Sequence, residues 1–308
     1  MRAFPAAALA AILLLPNSLA FAQNRGEPRV EFEMMTWPEV KQAMAAGKTT
    51  ALFYTGGTEQ RGPQNVNGGH TLMGREIVKR VALKLGNAIA MPVLPYTPNN
   101  ASAQLPGTIG LTNDILAVIL ERIAEQAIVT GFKNVVLMGD HGGGQPAVYR
   151  DVAAKLDAKY GVQGIHVYYC PDVYTKAGDD FDQWLEENGY PASSHAGIPD
   201  TSEMLYLGGD AWVRKDLLAT AVGTPVTRRP PGDSAARGGG RGRGQGATGD
   251  STGRGAGRGR GAGGDSTRVN NGISGDARRS TAQLGKKLID MKIDYAVKQI
   301  QGFINAAK

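Results

Sequence analysis

Two apolar runs in this chain each lead directly into a glycine-rich stretch that carries acidic and imidazole side chains. The run ALFY is followed by a turn with Glu59, and His70 comes eleven residues after that carboxylate. The run VVLM leads into Asp140 and His141. Short apolar runs of this kind are typical of buried strands, and ligands of open α/β sheets collect at the carboxyl ends of strands. The pattern therefore predicts a metal site with oxygen and nitrogen ligands.

A third polar stretch carries His195 and, five residues later, Asp200, in a loop that leads into an apolar element. The chain has four histidines, and three of them, His70, His141 and His195, are expected in glycine-containing loops beside carboxylates. A shared metal or acid–base site explains this distribution better than scattered surface positions.

Helices and strands alternate along the rest of the chain. Thr36 and Glu39 form a capping box that opens a helix to about Ala46. The spacing of apolar residues predicts further helices over 72–85, 113–131, 146–160, 182–188 and 281–307, a helix or strand over 202–207, and a strand over 89–94. Strands alternating with helices indicate an α/β fold with a mostly parallel sheet, helices on both faces and a single domain.

The N-terminal segment has the pattern of a secretory signal peptide. Arg2 precedes an apolar run over 6–15, and a small-x-small site ends at Ala22. Pro16 interrupts the run well short of the ~20 residues that a transmembrane anchor needs. We expect residues 1–22 to be removed and the domain over 23–308 to be exported, to a periplasm or the medium, without stable membrane insertion. The lone Cys170 excludes an intramolecular disulfide and favours a small buried hydrophobe over a nucleophile.

Residues 228–268 differ in composition from the rest of the chain. This stretch holds fifteen of the 43 glycines and nine arginines, and its formal charge of +6 equals that of the whole chain. Without large apolar residues we expect a disordered insertion. Arg-Gly repeats also occur in RNA-binding tails, but this stretch has no aromatic residue for base stacking. A tolerated surface insertion is therefore favoured over nucleic-acid binding, with adhesion to anionic lipid or polysaccharide as a minor alternative.

Taken in order, three motifs resemble those of the creatininase (creatinine amidohydrolase) family. GGTEQRGPQ at 56–64 is similar to the family's G-x-x-E-Q-H-G-P-H, GDHGGG at 139–144 to N-G-H-G-G-N, and HAGIPDTS at 195–202 to H-A-G-x-x-E-T-S. The resemblance runs from about residue 34 to the C-terminus, apart from the insertion. It implies a creatininase-like α/β fold, a metal-dependent hydrolase acting on the C–N bond of a small-molecule amide, and a homo-oligomer.

Three positions depart from the family pattern. Arg61 stands where the family has a histidine ligand, and His70 stands where it has an aspartate that bridges two metals. Gly143 replaces a glutamate ligand of true creatininases. These departures weaken the case for two metals and for creatinine as the substrate.

The surviving ligands implied by the resemblance are Glu59, His70 and His141, with Asp140 or Asp200 as a fourth. Three protein ligands and a water make a catalytic metal arrangement. We therefore expect one divalent metal, with Zn²⁺ favoured by the histidines and Fe²⁺ or Mn²⁺ as alternatives.

The resemblance also suggests catalytic roles for three side chains in a reaction that uses a metal-activated water. His195 lies at the family's proton-transfer position, and Asp200 either orients it or binds the metal. Arg61 either holds a substrate carboxylate as a fork or forms a structural ion pair with Glu59. In the second case the protein is an inactive binding protein on the same fold, with Arg61 replacing a metal ligand.

Overall fold

The computed structural model describes residues 28–227 and 270–307. The expected signal peptide (1–22) and the whole of the expected insertion (228–268) therefore lie outside the described residues. In chain order the principal elements are α1 (Trp37–Ala45), β1 (Thr50–Thr55), α2 (Gly69–Leu85), β2 (Ala88–Ala90), α3 (Asn113–Thr130), β3 (Asn134–Gly139), α4 (Gln145–Tyr160), β4 (His166–Tyr169), α5 (Thr175–Glu187), α6 (Ile198–Gly208), α7 (Lys215–Leu218) and α8 (Ala282–Ala306).

The four strands form one parallel sheet in the order β2-β1-β3-β4. Ala51 of β1 pairs with Ile89 of β2 on one side and with Val135 of β3 on the other. The chain leaves β1 toward β2 and later returns to the opposite side of β1 as β3. The strand order thus reverses between β1 and β3, and the crevice at their carboxyl ends is where such sheets bind ligands.

Both faces of the sheet are covered by helices, as the alternation of strands and helices predicts. Successive residues of a strand point to opposite faces. Leu52 and Tyr54 of β1 belong to a core with residues of α2, α6 and α8. Ala51 and Phe53 belong to a second core with residues of α1, α3 and α4. The central residues of β1 and β3 are therefore apolar, because neither face of the sheet is open to solvent.

Several predicted boundaries shift, and two shifts move site residues. Helix α2 begins at Gly69 rather than residue 72, so His70 lies in its first turn and not in a loop. Helix α6 begins at Ile198, which places Asp200 in its first turn. Helix α5 begins at Thr175, seven residues before the predicted start. The strand predicted over 89–94 is shorter, at Ala88–Ala90.

Other local predictions are confirmed. The capping box forms, with the Glu39 carboxylate accepting from the backbone N–H of Thr36 at 2.7 Å. The Thr281 hydroxyl caps α8 by accepting from the N–H of Leu284 at 3.2 Å. Cys170 is buried, and burial raises the pKa of its thiol to about 12, as expected of an inert side chain.

Across the described ranges, no helix combines the length and apolar character that crossing a bilayer requires.

Candidate metal centre

Three potential metal ligands converge at the carboxyl ends of β1 and β3. Glu59 follows β1, His141 follows β3, and His70 reaches in from the first turn of α2. Each offers an atom within 4.8 Å of the others, and all three side chains are buried. Nε2 of His70 lies 2.8 Å from Oε1 of Glu59, and Nε2 of His141 lies 2.8 Å from Oε2. The structure thus brings together the Glu59, His70 and His141 set that the sequence singled out.

Asp140 stands outside that group and lies behind His70. Its Oδ1 is 2.9 Å from Nδ1 of His70, on the side of the ring away from Glu59. Burial raises the pKa of Asp140, but the charges of His70, Lys292 and Arg61 outweigh burial and lower it to about 2. A carboxylate at the second nitrogen of a ligand histidine fixes the orientation of the ring. Asp140 therefore contacts the second ring nitrogen of His70 and lies outside the group formed by Glu59, His70 and His141.

The carboxylates of Asp140 and Glu59 shift the pKa of the His70 imidazole. Burial and the charge of Arg61 both lower the pKa of His70. The carboxylates of Asp140 and Glu59 outweigh these effects and raise the pKa to about 9. The pocket around this ring is therefore strongly favourable to positive charge.

Formal charge at this edge of the sheet is unbalanced among the described side chains. Four carboxylates lie within it and are buried or nearly so, accompanied by one guanidinium and one ammonium group. They are Glu59, Asp140, Asp200 and Glu203 against Arg61 and Lys292. With both histidines neutral, as metal ligands must be, the difference is two negative charges, which is the charge that one divalent cation neutralises. Buried charge is costly unless it is compensated, so the residues fit a dication.

Arg61 is fully buried between two of these carboxylates. Its guanidinium lies 3.6 Å from Glu59 and 3.0 Å from Asp200. On its other side Gly69 of α2 packs so closely that a Cβ there would lie 2.9 Å from Cδ of Arg61. This geometry favours the ion-pair interpretation of Arg61 over a fork for a substrate carboxylate, because the guanidinium has no open face. A permanent cation also repels a second metal ion at this position.

The backbone at Gly143 leaves no room for the missing glutamate ligand. Its N–H donates to Nδ1 of His141 at 2.8 Å. A Cβ at this glycine would lie 2.5 Å from Cε1 of the same ring. Arg61 and Gly143 thus occupy two positions at which the family resemblance implies metal ligands.

His195 lies beside the centre on a loop with an unusual backbone. Its Nε2 is 2.8 Å from the carbonyl oxygen of Gln60 and 3.2 Å from Nε2 of the Gln60 side chain. We assign the ring proton to Nε2, because the nearer partner, a carbonyl oxygen, can only accept. Nδ1 faces Glu59 at 3.5 Å. The next residue, Ala196, has a left-handed backbone with φ 55°, and its N–H donates to Asp200 at 2.8 Å. Asp200 therefore contacts the backbone of the residue that follows His195.

Sequence reasoning missed Asn99, which lies in the loop after β2. Its Nδ2 donates to Oε2 of Glu59 at 2.7 Å and lies 3.2 Å from Nε2 of His141. No local pattern marks this residue, since asparagines are common in loops for reasons of turn geometry. Only its contact with Glu59, which lies forty residues earlier in the chain, reveals it.

A cavity of about 1180 Å³ opens from the centre. Glu59, His70, His141 and His195 line its inner end, and α5 with the preceding loop forms much of its outer wall. That outer wall contributes the carboxylates of Asp172, Asp179, Asp180, Asp182 and Glu186 and the amine of Lys176. Excess negative charge thus continues from the centre to the mouth.

Comparison with known proteins agrees with the fold and with the order of the motifs. The sequence model of the creatininase family, described as creatinine amidohydrolase, matches residues 33–300. A comparison with curated protein sequences gives no match. The match to the family model covers most of the chain, and this protein therefore belongs to the creatininase family.

Several solved structures share the fold at low sequence identity. A mutant creatininase of Zn-Zn type is 21% identical with a TM-score of 0.65, over 90% of this chain and 99% of that chain. A creatininase in a Mn form is 22% identical with a TM-score of 0.64, over the same shares. A putative creatinine amidohydrolase from Bacteroides fragilis is 17% identical with a TM-score of 0.60, over 91% of this chain and 96% of that chain.

Proposed function

We propose that this protein is a metal-dependent amidohydrolase that cleaves the C–N bond of a small cyclic or linear amide. The observation that carries the proposal is the convergence of Glu59, His70 and His141 on one point at the inner end of a cavity. Membership of the creatininase family indicates amide hydrolysis as the reaction class. The switch point between β1 and β3 is the expected location of a ligand site in such a sheet. The signal-peptide pattern of residues 1–22 supports an exported enzyme.

One divalent ion is proposed, held by Glu59, His70 and His141. Two imidazoles and one carboxylate are a donor set typical of catalytic Zn²⁺, while Fe²⁺ and Mn²⁺ accept the same donors. When bound, the ion supplies water activation and polarisation of the amide carbonyl. Asp140 holds the ring of His70 in the orientation that presents Nε2.

His195 is proposed to move the proton that the reaction requires. Hydrolysis breaks the C–N bond, adds hydroxide to the carbonyl carbon and adds a proton to the leaving nitrogen. Because Nε2 of His195 is engaged with the Gln60 carbonyl, Nδ1 is the atom that accepts a proton from water and passes it on. This nitrogen faces the centre, and the side chain is 31% exposed and lines the cavity.

The charges of the cavity favour a neutral or cationic amide over an anionic one. Arg61 offers no open face to a substrate carboxylate, and the wall at α5 carries more carboxylates than amines. A field of one sign raises the local concentration of oppositely charged ligands. Creatinine is not singled out by any of these features.

A second candidate is a metal-free binding protein on this fold. The observation that favours it is the set of donors around Glu59, which contacts Asn99, both histidines and Arg61. Because Nδ1 of His141 accepts from Gly143, the neutral ring carries its proton on Nε2, the atom that a metal would need. In this alternative Arg61 and the histidines satisfy Glu59 without a metal.

Two variants compared by elemental analysis and amide hydrolysis test the proposal. Wild-type protein purified without a metal-affinity tag should hold about one divalent ion per chain and hydrolyse members of an amide library. His141→Ala should lose metal and activity together. His195→Ala should keep the metal and lose ~10²- to 10⁴-fold in kcat, with a smaller loss for substrates whose leaving groups need no proton.

Each other outcome contradicts a named part of the proposal. Wild-type protein without metal favours the binding protein, and two ions per chain exclude the single site. A metal-free His195→Ala variant would make His195 a ligand. Full activity in that variant would remove His195 from the reaction.

A further inference from the structure

Lys292 is a charged residue on the buried face of α8. It lies on the helix face shared by Leu288, Ile289 and Ala296, and its side chain is 5% exposed. Its Nζ is 2.6 Å from Oε1 of Glu203 on α6, whose side chain is 2% exposed. A long side chain on an apolar face usually reaches water with its charged end, whereas this one ends on a buried carboxylate.

A close approach of two helices places this pair. A Cβ at Gly285 of α8 would lie 1.9 Å from the backbone oxygen of Ser202, the residue before Glu203. Gly285 precedes Lys292 by seven residues, about two helical turns, so both lie on the same face. The glycine therefore lets α8 approach α6 closely enough for the lysine to reach inward.

Asp140 connects the Lys292–Glu203 pair to the candidate metal centre. Nζ of Lys292 lies 3.9 Å from Oδ2 of Asp140. The other oxygen of that carboxylate lies 2.9 Å from Nδ1 of His70, and Nε2 of His70 faces Glu59. Glu203, Lys292 and Asp140 all line the inner part of the cavity.

We propose that Lys292 and Glu203 are positioning residues that hold Asp140, and through it the ligand nitrogen of His70, so that the last helix of the described chain sets metal affinity. The ammonium attracts the Asp140 carboxylate, and Glu203 fixes the ammonium. This proposal rests on the proposed metal-binding function. The competing interpretation is a pair that only joins α8 to α6.

Metal affinity in a matched set of variants separates the two interpretations. Lys292→Met combined with Glu203→Leu replaces the pair by apolar side chains of similar size, an exchange that buried pairs often tolerate. The zinc dissociation constant is measured by competition with a chromophoric chelator, on protein whose fold is checked by circular dichroism. We expect the folded double variant to bind zinc 10- to 100-fold more weakly, the usual effect of losing an outer-shell partner.

The control replaces an exposed pair in the same way. Lys155→Met with Glu121→Leu removes an ion pair between α4 and α3, away from the centre, and should leave the zinc dissociation constant unchanged. Wild-type zinc affinity in the folded Lys292→Met/Glu203→Leu variant would overturn the proposal. If the double variant does not fold, Lys292→Gln combined with Glu203→Gln, which keeps a neutral hydrogen-bonding pair, is measured by the same criterion.

A second readout in metal-free protein keeps this proposal distinct from the proposed function. In wild-type protein the Nδ1 proton of His70 should give a downfield proton NMR signal that exchanges slowly, because the proton is buried against Asp140. The Lys292→Met/Glu203→Leu variant should lose that signal, and an unchanged signal overturns the positioning role. Absence of zinc binding in wild-type protein would instead refute the metal-dependent function.

Discussion

The two faces of the sheet use charged side chains in opposite ways. On the α3 and α4 face, Lys155 pairs with Glu121 at 2.8 Å, and the lysine side chain is 64% exposed. On the α6 and α8 face, Lys292 pairs with Glu203 at 2.6 Å with both side chains almost fully buried. The chemical groups are the same, and both pairs join two helices. Their surroundings differ, and the surroundings decide how much each pair contributes to the free energy of unfolding.

This difference distinguishes a face whose core serves stability from a face whose buried charges lie beside the candidate metal centre. The α3 and α4 core consists of apolar residues, with its ion pairs at the rim. The other face contains an apolar core as well, but buried charges interrupt it next to the centre. A buried charge pair is weak evidence for stability, so its presence beside Asp140 and His70 is better explained by the site.

The largest effect on stability is expected from Glu203→Gln, which leaves Lys292 buried without its carboxylate. Removal of one partner of a buried pair typically costs ~3–5 kcal/mol of the free energy of unfolding. Denaturant unfolding of metal-free protein measures it. A loss under ~1 kcal/mol would show that water reaches Lys292 and that the pair resembles a surface pair.

A smaller loss, and one confined to stability, is expected from Leu120→Ala in the apolar core under α3. Leu120 is 1% exposed, and truncation of a buried leucine costs ~2–5 kcal/mol, a range that begins below the ~3–5 kcal/mol of a broken buried pair. The zinc dissociation constant of the folded variant should equal that of wild-type protein. A changed metal affinity would mean that the two faces are coupled through the sheet.

The smallest effect is expected from Glu121→Gln, the surface counterpart of Glu203→Gln. Exposed ion pairs contribute ~0.2–1 kcal/mol, and salt screens part of that contribution. Denaturant unfolding at low and high salt should therefore show a small difference from wild-type protein that shrinks as salt is added. A loss as large as that of Glu203→Gln would erase the contrast between the two faces.

The sequence predicts the fold well where the signals are local. Apolar runs bounded by glycine predict β1 and β3, and the capping residue Thr36 marks the start of α1 correctly. The start of α2 was predicted too late because Gly68 and Gly69 indicate a turn. The start of α5 was missed because Gly178 and its acidic neighbours interrupt a helical pattern that burial of Phe181 restores.

The candidate site is predictable only for residues that a motif marks. Glu59 and His141 follow strand ends in sequence, and His70 belongs to the glycine-rich stretch that carries Glu59. Asn99 and the Lys292–Glu203 pair depend on contacts between distant segments, which no local pattern encodes. The sequence does contain one signal for Lys292, which is a charged residue within the apolar stripe of α8. That signal can be interpreted only when α6 is known to pack against α8.

The position of α8 along the chain also affects how the centre is assembled. Glu59, His70 and His141 come from the first half of the chain, while Lys292 arrives with the last helix. A chain that folds from its N-terminus during synthesis can bring these three proposed ligands together early, but Asp140 gains Lys292 as a neighbour only when α8 docks on α6. Completion of the centre is thereby tied to completion of the fold, so a chain interrupted before α8 would present an incompletely held ligand set.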